Sequence, residues 1–250
     1  MRCNTQRSDV SKWMVRGLGL GALTYGAYVA TTWSGYGRTR PRDASGSDEL
    51  LDRFMPECEV SDQHARRIDA PAEVALAAAC TSELGRSPVV RAIFKARELV
   101  FGRPANEVVA SGGLVEEMKA VGWGVLADLP GREIVFGAVT QPWKSDVTFR
   151  ALPPEAFAAF TEPGYVKIIW MLRADPISAT ESILRTETRA STTDAPTRAR
   201  FRWYWSLLSP GIKIIRLVML AEAKTEAERR SSLSLQGSLR AVRRPVTRSS

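Results

Sequence analysis

The sequence predicts an α+β fold in which a curved antiparallel sheet wraps round a long C-terminal helix. Three observations carry this prediction. Helical patterns come early in the chain, strand and hairpin patterns fill its middle, and one long amphipathic stripe follows them. The chain has 250 residues, 44% of them hydrophobic and 25% charged, which is typical of one globular domain with appendages.

The first predicted element is a hydrophobic helix over residues 17–37, between a basic N-terminus at 1–16 and a polar linker at 38–47. The run between Arg16 and Arg38 has no charged side chain. It is as long as the about 20 residues that a bilayer core needs. Six glycines dilute it, so a cleaved signal peptide and a peripheral helix are the alternatives. We therefore expect a single-pass membrane protein, with the side of its soluble domain undetermined.

The folded domain is predicted over residues 48–230, and after a short helical approach it opens with a strand at 63–69. Three helices follow. Pro71 and Pro88 suit the first turns of two of them, because a proline lacks only an N–H that has no helical partner there. Residues 113–120 give the third, short helix.

Four antiparallel strands are predicted next, with a short helix over 153–160 between the two pairs. The first pair flanks Pro130-Gly131, a hairpin signal. In the third strand bulky side chains alternate onto both faces, so one face should pack on a helix and the other should line something else. The predicted strands are 123–129, 132–140, 165–174 and 180–192.

The C-terminal helix is predicted to begin after its cap, Asp194. Apolar residues recur at three- and four-residue steps over 201–219. Pro210-Gly211 falls inside this stripe, so we expect a kink or a break there. From about Ala221 we expect polar coil, and residues 231–250 are predicted to be a disordered basic tail.

Local motifs point to the same architecture, whose order of elements is that of the helix-grip fold. Five of them are Gly-Trp-Gly-Val-Leu at 122–126, Pro-Gly-Arg-Glu at 130–133, Pro-Gly-Tyr-Val-Lys at 163–167, Thr-Glu-Thr-Arg at 186–189 and Phe-Arg-Trp-Tyr-Trp at 201–205. On these motifs the chain resembles bacterial members of the SRPBCC superfamily (START-like, polyketide-cyclase-like) that carry an N-terminal hydrophobic helix. The resemblance implies an internal pocket for an apolar small molecule, and it implies no particular reaction.

Charge and residue counts narrow the function further. The net charge is +8, but most of the excess lies at the two ends, so we expect a membrane and not nucleic acid as the anionic partner. His64 is the only histidine. A multi-histidine metal site is therefore impossible, and a catalytic triad would need His64, which at a strand start is usually structural or solvated. We assign no metal, no cofactor and no catalytic residue.

Six side chains are candidates for lining the pocket. Tryptophans offer large surfaces that suit an apolar ligand. Glu187 and Arg189 are two apart on a strand and share a face, where they can pair and orient a polar group. A plain core and a solvated surface pair are the respective alternatives. The candidates are Trp123, Trp143, Trp170, Glu187, Arg189 and Trp205.

Together these features predict a membrane-tethered protein that binds or transfers a lipid or another apolar small molecule. A small enzyme of cyclase or hydrolyase type, using a carboxylate and an arginine in the same pocket, is the first alternative. A structural partner in a membrane complex is the second. The spacing of small residues, Gly17/Gly21 and Ala22/Gly26/Ala30, adds a homodimer through the hydrophobic helix.

Overall fold

The structure is a computed structural model that describes residues 21, 23–38, 48–83, 85, 87–101, 112–144 and 146–242. Residues 23–35 form helix α1. The other elements follow in chain order: α2 (Glu49–Phe54), β1 (Val60–Ile68), α3 (Ala72–Thr81), α4 (Pro88–Phe101), α5 (Leu114–Ala120), β2 (Gly124–Leu129), β3 (Glu133–Thr140), β4 (Phe149–Arg150), α6 (Pro154–Ala158), β5 (Val166–Ser178), β6 (Glu181–Thr192) and α7 (Ala195–Val242).

Within the described residues, the six strands form one antiparallel sheet in the order β1-β6-β5-β3-β2, with the short β4 beside β3. The first strand thus pairs with the last, from Val60 opposite Ala190 to Ile68 opposite Ser182. The long helix α7 lies against this sheet. The predicted α+β fold, a curved antiparallel sheet wrapped round a long C-terminal helix, is confirmed.

The sheet is covered on both faces, which explains the bulky side chains on both sides of β5. We call the face toward α7 the concave face and the other the convex face. On the concave face, α3, α5 and α7 pack on the strands through a cluster that includes Ile68, Leu114, Trp170, Leu172 and Met219. On the convex face, α2 and α6 contribute to a second cluster that includes Leu51, Phe54, Phe157, Ile169 and Met171.

Helix α1 packs along the outer side of α7. The Tyr25 hydroxyl donates a hydrogen bond of 2.5 Å to the carbonyl of Leu207. The guanidinium of Arg202 donates to the carbonyl of Trp33 and lies 4.1 Å from the centre of its ring. The ring centroids of Trp33 and Trp203 are 4.7 Å apart. The aromatic residues of α1 therefore make contacts within the protein.

The prediction of a single-pass membrane protein is wrong. Among the residues that the structure describes, no helix is long and apolar enough to cross a membrane. Glycines and threonines dilute the apolar run of 17–37, and α1 packs on α7. Residues 17–20 and 22 of the predicted span lie outside the described residues. A side chain at Gly26 would meet no atom within 4 Å, and the homodimer through this helix stays a prediction.

Helix α7 is not divided at Pro210, contrary to one of the two expectations for that position. Proline removes the N–H that would bond the carbonyl of Ser206. In the same turn, Tyr25 supplies an outside donor to the carbonyl of Leu207. Contacts from α1 thus support the backbone where the helix is weakest.

The coil expected from Ala221 is also absent, because α7 continues to Val242. Two ion pairs at four-residue spacing stabilise this part of the helix, Lys224 with Glu228 and Arg230 with Glu226. The predicted tail of 231–250 is therefore helical as far as 242, and residues 243–250 lie outside the described residues.

Candidate functional site

A polar-to-apolar row of side chains crosses the middle of the concave face. The strand register places Asp62 of β1 opposite Thr188 of β6, and Thr188 opposite Trp170 of β5. Trp170 in turn lies opposite Phe136 of β3, and their rings stack with centroids 5.5 Å apart. Residues directly opposite in a sheet share a face. The row thus runs from a carboxylate at one edge of the sheet to stacked aromatic rings at its centre.

Two threonines of β6, Thr188 in this row and Thr186 beside it, differ in their hydrogen bonding. Thr186 accepts a bond of 2.7 Å from Trp170 Nε1. The Oγ1 atom of Thr188 is buried and has no hydrogen-bond partner in the described part of the chain. A buried hydroxyl without a partner costs roughly 1–3 kcal/mol. Thr188 therefore offers an unused donor and acceptor beside the Trp170 ring.

Arg216 of α7 is the charged member of the helix stripe that faces the sheet. Its guanidinium carbon lies 3.6 Å from the centre of the Trp170 ring. Its Nε atom is buried, and no described residue accepts a hydrogen bond from it. Burial lowers the pKa of Arg216 to about 9, against the opposing charge of Asp62. The side chain therefore remains a cation at neutral pH, held over an aromatic ring.

The single histidine of the chain belongs to the same face. His64 lies two residues after Asp62 on β1, and its Nε2 atom is 2.9 Å from Asp62 Oδ2. Lys213 of α7 approaches the other oxygen of that carboxylate at 3.6 Å. Sequence reasoning gave His64 a structural or solvated role, because the strand pattern alone does not reveal what faces it. The Asp62 end of the row thus has an imidazole and the ammonium group of Lys213 in contact with the carboxylate. Arg216 adds a second cation nearby on α7.

The four tryptophans that were predicted to line a pocket all lie on the concave side but do not converge on one point. Trp170 is at the centre of the row. Trp123 packs on Phe149, with ring centroids 5.3 Å apart, in the same core cluster. Trp143 and Trp205 belong to another cluster, round Phe201 at the start of α7.

Glu187 and Arg189 lie on the convex face, so they do not share a pocket with Trp170. Arg189 donates through Nε to Glu187 at 2.5 Å and through Nη1 to Asp52 of α2 at 2.6 Å. Nη1 also donates to the carbonyl of Met55 at 3.1 Å. Burial alone would lower the pKa of Arg189, but the two carboxylates outweigh it and raise that pKa. The pair is thus buried and not solvated, and it holds α2 against the sheet; a ligand role for it stays a prediction.

A second carboxyl cluster lies at the start of α2 on the same convex face. Asp48 caps α2 by accepting hydrogen bonds from the N–H groups of Leu50 and Leu51. Its other oxygen accepts from Arg173 at 3.3 Å. Burial raises the pKa of Glu133, the first residue of β3, to about 7, and the neighbouring Asp48 adds to the effect. Glu133 is thus the buried acid with a raised pKa that a proton-transfer enzyme needs, but it lies on the face opposite Trp170.

Glu133 should make the stability of the protein depend on pH. The folded state keeps a proton on this carboxyl up to about pH 7, whereas the usual pKa is 4.5. Its stabilising contribution is therefore complete below about pH 4.5 and lost as pH rises to about 7. We expect Glu133→Gln to raise the free energy of unfolding by roughly 1–3 kcal/mol at pH 8 and by much less at pH 4.5. Urea unfolding at both pH values measures this change in the free energy of unfolding. The exposed control Glu155→Gln should change neither, and an equal effect of Glu133→Gln at both pH values would contradict the assignment.

Comparisons with known proteins find structural similarity but do not assign the chain to a family. No protein family and no curated protein matches the sequence. The ZhuI aromatase/cyclase from Streptomyces sp. R1128 is similar in structure at 15% identity and a TM-score of 0.29, over 68% of this chain and 94% of that one. Protein CV1439 from Chromobacterium violaceum is similar at 16% identity and a TM-score of 0.21, over 61% of this chain and 97% of that one. At these scores the likeness assigns neither a ligand nor an activity.

Proposed function

We propose that the protein binds an apolar small molecule between α7 and the concave face of the sheet. The observation that carries this proposal is the meeting of unpartnered buried polar atoms, Thr188 Oγ1 and Arg216 Nε, with the stacked rings of Trp170 and Phe136. Proteins rarely leave buried polar atoms without partners, and ligand sites combine an apolar lining with a few such groups. The sequence motifs that resemble the SRPBCC superfamily favour the same interpretation.

The packing of α7 supports a site near its middle. At one end of the contact with the sheet, Phe201 and Trp205 are buried, and at the other Met219 and Ala223 are buried. Between them, Ile212 and Arg216 face the same way but keep part of their surface exposed. The helix is thus anchored at both ends, and two of the side chains between them are open to solvent in part. A ligand that buries about 300 Å² of apolar surface there would gain roughly 25 cal/mol per Å², or about 7–8 kcal/mol before association costs. Polar contacts must add to this gain for micromolar binding.

A fluorescent apolar probe tests this proposal. We expect N-phenyl-1-naphthylamine, which is neutral, to bind the purified protein saturably, and fatty acids, sterols or polycyclic aromatics to displace it. Ile212→Trp should fold and weaken probe binding at least about tenfold, because a larger side chain fills the site. Ile214→Trp is the matched control, since Ile214 is 43% exposed on the outer side of α7. Absence of saturable binding, or equal effects of the two variants, would overturn the proposal.

An enzyme of cyclase or hydrolyase type is the second candidate, and the contact between His64 and Asp62 favours it. An imidazole paired with a carboxylate is a common general base. Arg216 can polarise a carbonyl oxygen near it. The test is exchange of the α-protons of a β-hydroxy ketone in D₂O, followed by NMR. Exchange that His64→Gln abolishes without weakening probe binding supports an enzyme, whereas exchange at the uncatalysed rate refutes it for this substrate.

A further inference from the structure

We infer that the ligand carries an acidic head group, which Arg216 binds, on an apolar body that lies between α7 and the concave face. This inference rests on the proposed function and deepens it. It names the chemical class of the ligand, an amphipathic oxyanion, and its orientation along the row. The head lies toward β1 and α7, and the body lies toward the centre of the sheet.

The position of Arg216 is the first argument. One turn before it on α7 lies Ile212, and the next sheet-facing residues after it are Met219 and Leu220. An arginine on such a stripe places a charge where the fold needs only apolar surface. Part of the Arg216 side chain is exposed, but its Nε atom is buried, and a charged group is costly to bury unless a counter-charge and hydrogen bonds compensate it. A ligand anion is a partner that would compensate it.

The surrounding charges are the second argument. In the described part of the chain, no carboxylate lies within ion-pair distance of Arg216. Asp62, whose negative charge acts on Arg216, is already in contact with His64 and Lys213. Lys213 and Arg216 together outnumber the one carboxylate. These three groups therefore carry a net positive charge in the absence of a ligand, and that charge attracts an anion.

The geometry of the guanidinium is the third argument. The Trp170 ring holds it in place from one side, and a cation over an indole face is the favoured cation–π arrangement. The N–H groups of a guanidinium match two oxygens of a carboxylate, sulfonate or phosphate. The free Thr188 hydroxyl next to Trp170 provides a further donor. The arrangement thus fixes a donor set before any ligand binds, as selective binding requires.

Two probes that differ in one group test the inference on the full chain. 8-Anilinonaphthalene-1-sulfonate is N-phenyl-1-naphthylamine with an added sulfonate, so the pair isolates the effect of the anion. We expect Arg216→Gln to weaken binding of the sulfonate probe at least about tenfold more than it weakens binding of the neutral probe. Arg216→Lys keeps the charge but loses the planar donor set, and it should cause an intermediate loss. Arg200→Gln, at an exposed position of α7, should change neither.

The outcomes separate this inference from the proposed function. If neither probe binds the wild-type protein saturably, both fail. If the neutral probe binds but the sulfonate probe does not, or if Arg216→Gln weakens both equally, the acidic head group is refuted and the binding function stands. Displacement of the sulfonate probe by inorganic sulfate alone would refute an amphipathic ligand. Should Arg216→Gln fail to fold, Arg216→Lys decides, because unchanged affinity for the sulfonate probe in that variant would refute specific recognition by the guanidinium.

Discussion

Replacing Arg189 with alanine is expected to lower the free energy of unfolding by about 3–5 kcal/mol. The Arg189 side chain is 0% exposed and joins Glu187 of β6 to Asp52 of α2. Its removal leaves the buried Glu187 carboxylate close to another carboxylate without a counter-charge. It also removes the donor to the carbonyl of Met55. Urea unfolding followed by tryptophan fluorescence measures the loss.

Arg185→Ala is the matched control for this variant. Arg185 lies on the same strand and the same face, and it pairs with Asp175 at 2.7 Å, but its side chain is 47% exposed. Exposed ion pairs contribute little, so we expect a loss below about 1 kcal/mol. The double variant Arg189→Met/Glu187→Met should regain much of the lost stability, because it removes both charges together. Equal losses for Arg185→Ala and Arg189→Ala would contradict a buried clamp on α2.

Replacing Trp170 with alanine is expected to cost about 3–5 kcal/mol of stability, the usual range for a large buried aromatic residue. Trp170 is 0% exposed. Its truncation leaves a cavity beside Phe136, frees the hydroxyl of Thr186 and removes the ring beneath Arg216. Thermal and urea unfolding should report the same loss if the protein unfolds in two states.

Two further tryptophan variants serve as comparisons for this prediction. Trp170→Phe keeps a ring against Phe136 but loses the hydrogen bond to Thr186, and we expect a loss of about 1–2 kcal/mol. Trp203→Ala removes a ring of equal size that is 58% exposed on the outer side of α7, and it should cost less than about 1 kcal/mol. A loss as small for Trp170→Ala would mean that the concave core is not packed round this residue.

Much of the fold was predictable because its elements carry local signals. The hairpin at Pro130-Gly131 and the stripe over 201–219 both have a clear period, and both form as expected. The later part of α7 lacked that signal. It buries Ala223 and Ala227, and alanines do not form a recognisable apolar stripe. The interaction of α1 with α7 was not predictable either, since it joins residues about 170–180 positions apart.

The site was less predictable than the fold, for a reason that Glu187 and Arg189 illustrate. Strand periodicity correctly places the two on one face, but it does not say which face. The register of β6 against β5 puts Thr188, not its neighbours, beside Trp170. The site does carry one local signal, the charge of Arg216 at a sheet-facing position of the helix stripe. The meeting of Asp62 with Thr188 depends on long-range pairing and has no local signal.

The pairing of the first strand with the last has a consequence for synthesis of the chain. Arg67 of β1 meets Glu181 of β6, 114 positions later. At typical ribosomal speeds, β1 leaves the ribosome roughly 5–25 s before its partner. During that interval its backbone is an unpaired edge, open to other nascent chains. The charged and polar side chains that predominate along β1, from Asp62 to Arg67, are the kind that keep such an edge from aggregating. Closing so long a loop also makes folding slow, so a chain stalled before β6 should need a chaperone to stay in solution.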